Sequence, residues 1–176
     1  SMKGDPALRK LLGELVSTKN EKNWSESERF EKNTRQLLPQ GIMVLHAPPE
    51  ENKNYNCFVY ALGLQNHSSL LGNKAWKFTR ELGGTFEDLM KNGLLRRTES
   101  PETGDLVVYR GRDGIIGHVG IFDQDNMVVS KWSWGPLLRH AIFDVPDHYG
   151  DEVSFYRIAE AARSFVLAQQ KTNRSP

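Results

Sequence analysis

Apolar residues recur at helical spacing near both ends of the chain and at strand spacing in its second half. Asp5 and Pro6 precede an amphipathic stripe of leucines, which predicts a first helix capped by Asp5. A capping-box pattern at residues 25–28 predicts a second helix, which Pro39 ends. An alanine-rich segment at residues 159–170 predicts a helix close to the C-terminus.

Five short segments have the apolar pattern of β-strands, and turn residues separate the last four of them. These segments are residues 41–45, 105–110, 115–122, 127–132 and 153–158. The turns favour an antiparallel meander, and a further helix is predicted from Thr85 to Gly93. The fold class is therefore α+β. We divide the chain into an N-terminal helical extension (1–40), a main domain (41–171) and a frayed tail (172–176).

The composition excludes several function classes and favours one folded unit for 176 residues. Lys and Arg number 23 against 22 Asp and Glu, so a nucleic-acid partner is not expected. No segment approaches the roughly 20 apolar residues of a membrane span, and no signal peptide is visible. This pattern predicts a cytoplasmic protein if Met2 is the native start, and otherwise a secreted or effector-delivered one. A single cysteine excludes an internal disulfide, and neither a metal nor a cofactor is expected.

The only cysteine, Cys57, lies where a polar segment meets a short apolar helix. Unpaired N–H groups at a helix start favour a thiolate, so we expect Cys57 to be reactive, with a lowered pKa. His118 lies inside the predicted strand 115–122 and would be the base of such a nucleophile. Each residue alone is more commonly structural, and it is the pair, in this order, that indicates catalysis.

Three segments together resemble the papain-like NlpC-type hydrolases and the related CHAP amidases. They are Asn56-Cys57, Gly104-Asp-Leu-Val-Val108 and Gly117-His-Val-Gly-Ile121. The resemblance covers about residues 50–132 and implies a papain-like fold for the main domain, in which the cysteine helix packs on an antiparallel sheet. It also implies acyl chemistry at amide bonds of peptides or proteins, cell-wall peptides among them. One departure is Asn-Cys-Phe where these enzymes usually have Asp-Cys-Ser.

The residue that would orient the His118 ring is open between two candidates. The resemblance implies a polar residue on the next strand, and the spacing favours Ser130, although serine brings no negative charge. Side-chain chemistry favours His140, whose ring can accept the N–H of His118. We expect one of them to hydrogen-bond to the His118 nitrogen that faces away from Cys57.

Further side chains are candidates for binding substrate. The backbone N–H of Cys57 and a side chain of Tyr55 or Asn56 would stabilise the oxyanion. Trp132 and its neighbour Trp134 alternate along a predicted strand and would form either core or an aromatic platform at the cleft.

Strand alternation gives a check on the position of His118. If His118 faces the cysteine helix, Gly120 and Phe122 share that face, while Val119 and Ile121 lie on the other.

Three functions are compatible with these residues. The first is a cysteine peptidase, amidase or deamidase that acts through a Cys57 thioester with His118 as base, whereas His46, His67 and His148 take no part. The second is a catalytically inactive papain-like fold that binds a peptide or partner. The third is an effector-type acyltransferase with the same Cys/His pair.

Overall fold

An antiparallel sheet forms the centre of the fold in the computed structural model, which describes residues 3–49, 55–67 and 82–173. Within these residues the sheet has seven strands in the order β1-β6-β5-β4-β3-β7-β2, and every neighbouring pair is antiparallel. The strands are β1 (Met43–His46), β2 (Leu95–Thr98), β3 (Leu106–Arg110), β4 (Ile116–Asp123), β5 (Met127–Lys131), β6 (Leu137–Ala141) and β7 (Glu152–Ile158). The predicted α+β class is confirmed. The predicted meander is confirmed for its first three strands, β3, β4 and β5. Residues 153–158, expected as its fourth strand, lie in β7 and pair with β3 instead, and β6 lies next to β5.

Two strands, β2 and β6, were not expected from the sequence. β2 is an edge strand in which only Leu95 is fully buried, so its two arginines face solvent and hide the strand pattern. In β6 the polar residue His140 points into the interior, which reverses the apolar-in alternation that marks a strand.

The helices of the described residues cover both faces of the sheet. They are α1 (Pro6–Leu15), α2 (Glu21–Ser25), α3 (Ser27–Arg29), α4 (Cys57–Ala61), α5 (Leu82–Lys91) and α6 (Ala162–Asn173), and α3 continues as a π-helical stretch (Phe30–Thr34). The predicted cap of α1 is confirmed, because the Asp5 carboxylate accepts the N–H of Ala7 at 3.0 Å. No helix within the described part of the chain has the length and hydropathy to cross a membrane.

Three of the predicted helices have boundaries that differ from the prediction. The predicted capping box is absent, because the Ser25 hydroxyl donates back to the Glu21 carbonyl oxygen (2.7 Å) and ends α2. Gly93 (φ +68°) follows the end of α5 at Lys91 and closes it as predicted, but the helix begins at Leu82 rather than Thr85. α6 begins at Ala162 rather than at residue 159 and continues to Asn173, and residues 174–176 of the predicted tail lie outside the described residues.

Two hydrophobic cores lie on the two faces of the sheet. One core joins α4, α5 and α6 to Val108 and Val119. The other joins the N-terminal helices to Val107, Tyr109 and Phe122. Neighbouring strand residues therefore point to opposite layers, and the central strands are buried on both faces.

Arg9 fixes α1 to the loop that precedes β7. Its buried guanidinium pairs with the Asp151 carboxylate and donates to three carbonyl oxygens, those of Val145 (3.1 Å), Pro146 (3.3 Å) and Gly150 (2.9 Å). A buried guanidinium is stable only when its donors are paired, so these contacts hold the loop in one conformation.

We predict that Arg9→Met lowers the free energy of unfolding by about 3 kcal/mol, because it leaves buried carbonyls without donors. The matched control is Arg35→Met, which removes an exposed ion pair with Glu31 and should cost less than about 0.5 kcal/mol. Urea unfolding of the two variants checks this. Equal costs would mean that the Arg9 contacts do not hold the loop.

Candidate active site

Cys57 is the first residue of α4, where the sequence places it. The preceding residue, Asn56, has extended backbone angles, and its side chain accepts the N–H of Val59 at 3.1 Å, as an N-cap does. Phe58, Val59 and Ala61 bury the helix in the core, and Gly63 (φ +67°) follows its end. The polar cap and the apolar run after it therefore determine where the cysteine lies.

The pKa of Cys57 is raised in the structure, whereas the sequence predicted that it would be lowered. The side chain is 5% exposed, and burial raises the pKa of the thiol to about 11. Backbone N–H groups of Val119, Phe58 and Cys57 itself, together with the charge of Lys131, act in the opposite direction but are the weaker influence. A five-residue helix has too short a row of peptide dipoles to outweigh desolvation.

His118 lies in β4, inside a cage of aromatic rings. Its ring stacks on Tyr149 with centroids 4.2 Å apart and leans against Tyr109 at 5.4 Å. Its Nε2 atom is buried and has no hydrogen-bond partner among the described residues. Burial first, and then the neighbouring His140 and His148, lower the pKa of His118 well below its usual value, so the ring is neutral at neutral pH.

Cys57 and His118 come from opposite faces of the sheet and meet at one cleft. α4 packs on the face of Val119, whereas His118 shares the other face with Tyr109 and Phe122. His118 and Phe122 share a face as the alternation predicts, but it is not the face that α4 covers. The cysteine and the imidazole therefore reach the same cleft from different layers of the fold.

The cleft has a volume of about 540 Å³. Its wall includes Asn56, Cys57, His118, Trp134, His148 and Tyr149. Gly117 also lines it, and a Cβ there would lie 2.4 Å from the Tyr149 carbonyl oxygen, so only glycine permits this approach. None of the described residues that line the cleft is Asp, Glu, Lys or Arg.

The two candidates for orienting His118 bond to each other instead. The His140 Nδ1–H donates to the Ala141 carbonyl oxygen (2.7 Å), so His140 Nε2 accepts the Ser130 hydroxyl (2.7 Å). The Trp132 indole N–H in turn donates to Ser130 Oγ at 2.9 Å. The predicted hydrogen bond from Ser130 or His140 to His118 is therefore wrong for this structure.

Local packing explains why Ser130 does not reach His118. Ser130 lies over Gly120, where a Cβ would be 2.9 Å from the Ser130 Cβ, and Gly120 is two positions further along β4 than His118. Burial also lowers the pKa of His140 to about 4, which keeps its ring neutral in a chain of satisfied hydrogen bonds.

The substrate-binding candidates lie in three different surroundings. Asn56 lines the cleft while its side chain caps α4. Tyr55 packs against the core, and burial raises its pKa to about 12, so the phenol stays neutral. Trp132 is fully buried and cannot be a platform, whereas Trp134 lines the cleft. The two tryptophans do not share a strand face, because β5 ends at Lys131 and Ser133 (φ +55°) turns the chain between them.

Two side chains near the cysteine were not among the sequence candidates. Lys131 is buried, and Lys131 and Cys57 influence each other's pKa. The sequence feature that could have identified Lys131 is a lysine at an inward-facing position of an otherwise apolar strand. His148 lines the cleft from the loop that Arg9 fixes, and no local pattern marks it. No group of three or more His, Cys, Asp or Glu side chains converges as a metal site within the described ranges.

We predict that the protein loses stability as the pH falls from about 6.5 to about 4, because His140 and His118 are buried in neutral form. Their folded pKa values lie below the unfolded value, so the stabilisation is complete above pH 6.5 and is lost on acidification. Within this pH range, protonation of His140 alone should lower the free energy of unfolding by about 1.4 kcal/mol per pH unit.

Urea unfolding between pH 7 and pH 4.5 measures the slope of the free energy of unfolding against pH. His140→Gln should flatten it, and the exposed-residue control His46→Gln should leave it unchanged. An unchanged slope in His140→Gln would contradict the assignment of a neutral buried ring.

Comparison with protein families gives one match. A family model described as a domain of unknown function, DUF7689, matches residues 47–157, which contain Cys57, His118, Lys131 and His148. No curated protein and no solved structure matches the chain.

Proposed function

We propose that this chain, which belongs to the DUF7689 family, is a papain-like cysteine hydrolase of amide bonds, with Cys57 as nucleophile and His118 as base. The observation that supports it is that these two residues, distant in sequence, line the same cleft. A cysteine at the start of a helix that packs on an antiparallel sheet is the arrangement that the resemblance implies.

His118 has the protonation state that a base needs before it acts. A base must be unprotonated before it acts, and burial lowers the pKa of His118 so that its ring is neutral. Its Nε2 has no partner among the described residues, so accepting a proton there breaks no hydrogen bond. The stacked Tyr149 ring fixes the imidazole plane in place of a hydrogen-bonded residue.

The reaction proceeds from a neutral thiol and a neutral imidazole. His118 takes the Cys57 proton as the sulfur attacks the carbonyl carbon, and the tetrahedral oxyanion is stabilised by the Cys57 N–H at the start of α4. The C–N bond then breaks, the amine leaves with the proton from His118, and a thioester remains on Cys57. Water hydrolyses this thioester, releases the acid and restores the thiol.

The cleft favours an uncharged peptide segment as substrate. None of its described wall residues has a carboxylate, ammonium or guanidinium group, whereas Trp134 and Tyr149 offer aromatic surfaces. Peptide and protein amides, including cell-wall peptides, have segments of this kind.

A second candidate is a peptide-binding module without turnover. Two observations favour it: the raised pKa of Cys57, and the lack of a hydrogen-bonded residue that orients His118 among the described residues. The same cleft would then bind a peptide by its aromatic wall alone.

A peptidyl vinyl sulfone probe separates the two candidates. A hydrolase should be labelled at Cys57 in the wild type and not in Cys57→Ser. His118→Phe keeps a stacked ring but removes the base, so labelling should fall about 100-fold or more. The control His67→Gln should label at the wild-type rate, and the melting temperature of each variant shows that it is folded.

Labelling that is equally fast in His118→Phe would contradict the assigned base, and an unreactive wild type would favour the binding module. In a labelled enzyme, transfer of the acyl group to an added amine rather than to water would identify an acyltransferase.

A further inference from the structure

Lys131 is a buried cation on the face of the sheet that α4 covers. Its side chain is 1% exposed, and its Nζ lies 4.4 Å from the centre of the Tyr55 ring. The Nζ also donates a hydrogen bond to the Gly135 carbonyl oxygen. No carboxylate forms an ion pair with it in the part of the chain that the structure describes.

Both contacts suit a charged ammonium and hold it near the cysteine. The face of an aromatic ring attracts a cation, and a carbonyl oxygen accepts a hydrogen bond from its N–H. Neither group has a net negative charge, so neither is a counterion. Tyr55 is two residues before Cys57, so the ring that the ammonium contacts belongs to the segment that leads into α4.

We propose that Lys131 is a positioning residue for the hydrolase reaction, and that its ammonium is the counterion of the Cys57 thiolate. This rests on the proposed function in that it takes Cys57 as the nucleophile. His118 lies on the opposite face and takes the thiol proton, whereas Lys131 takes no part in proton transfer and its ammonium form stabilises the negative sulfur. The two tasks are thus divided between the two faces of the sheet.

The electrostatics near the sulfur agree with this division. Burial lowers the pKa of Lys131 to about 7, and a negative charge on Cys57 raises it again. The nearby phenols of Tyr55 and Tyr149 stay neutral, because burial raises the pKa of both. His118, on the other face, is neutral before the reaction. Thiolate and ammonium therefore stabilise each other, and each is costly to bury alone.

The test is the pH profile of Cys57 alkylation by iodoacetamide. Lys131→Met keeps the length and burial of the side chain but removes the charge, so the thiolate fraction and the rate at pH 7.5 should fall about tenfold or more. The midpoint of the profile should move to higher pH. Lys131→Arg should restore the profile toward the wild type, and the exposed control Lys91→Met should not change it.

A second measurement leaves Lys131 intact, in case its variants do not fold. Tyr55→Leu removes the aromatic face against which the ammonium lies, so the midpoint of the Cys57 alkylation profile should again move to higher pH. An unchanged alkylation profile in Lys131→Met or in Tyr55→Leu would overturn the proposal.

Neither measurement needs a substrate. If the vinyl sulfone probe fails while both Lys131 effects are observed, the hydrolase proposal falls and the ion pair stands. If the probe labels Cys57 and neither effect is observed, the hydrolase proposal stands and the ion pair falls.

Discussion

The buried guanidinium of Arg9 is the contact on which the geometry of the cleft depends. It ties α1 to the loop before β7, and that loop presents Tyr149 to the His118 ring. Gly117 lets the Tyr149 backbone come close, which brings loop and strand together. The N-terminal helices are therefore part of the candidate site, and Val16 at the end of α1 also lines the cleft.

Burial dominates the chemistry of the site. It keeps the Cys57 thiol and the His118 ring neutral, and it makes the Lys131 ammonium easier to deprotonate. Burying a single charge costs free energy because the charge loses its hydration, and the attraction between two opposite charges offsets part of that cost. The proposed thiolate is therefore a minor form of the resting protein, and the Lys131 ammonium offsets part of the cost of forming it.

The sequence predicted those parts of the fold that depend on local pattern. The Asp5 cap, the start of α4 at Cys57 and the strands β3, β4 and β5 follow from residues close together in the chain. Sequence could not predict which face of the sheet each layer covers, because that depends on contacts between distant segments. His118 thus lies in the predicted strand, but strand alternation alone could not decide which face of the sheet it shares with which helices. Ser130 and His140 were the two candidates for orienting His118, yet their mutual hydrogen bond depends on how β5 and β6 pair.

A crystal structure of the peptidyl vinyl sulfone adduct tests the central claim most directly. The account predicts a bond between the probe and Cys57 Sγ, a His118 ring nitrogen within about 4 Å of that sulfur, and the peptide lying between Trp134 and Tyr149. An adduct in which His118 stays stacked on Tyr149 with both nitrogens far from the sulfur would contradict it.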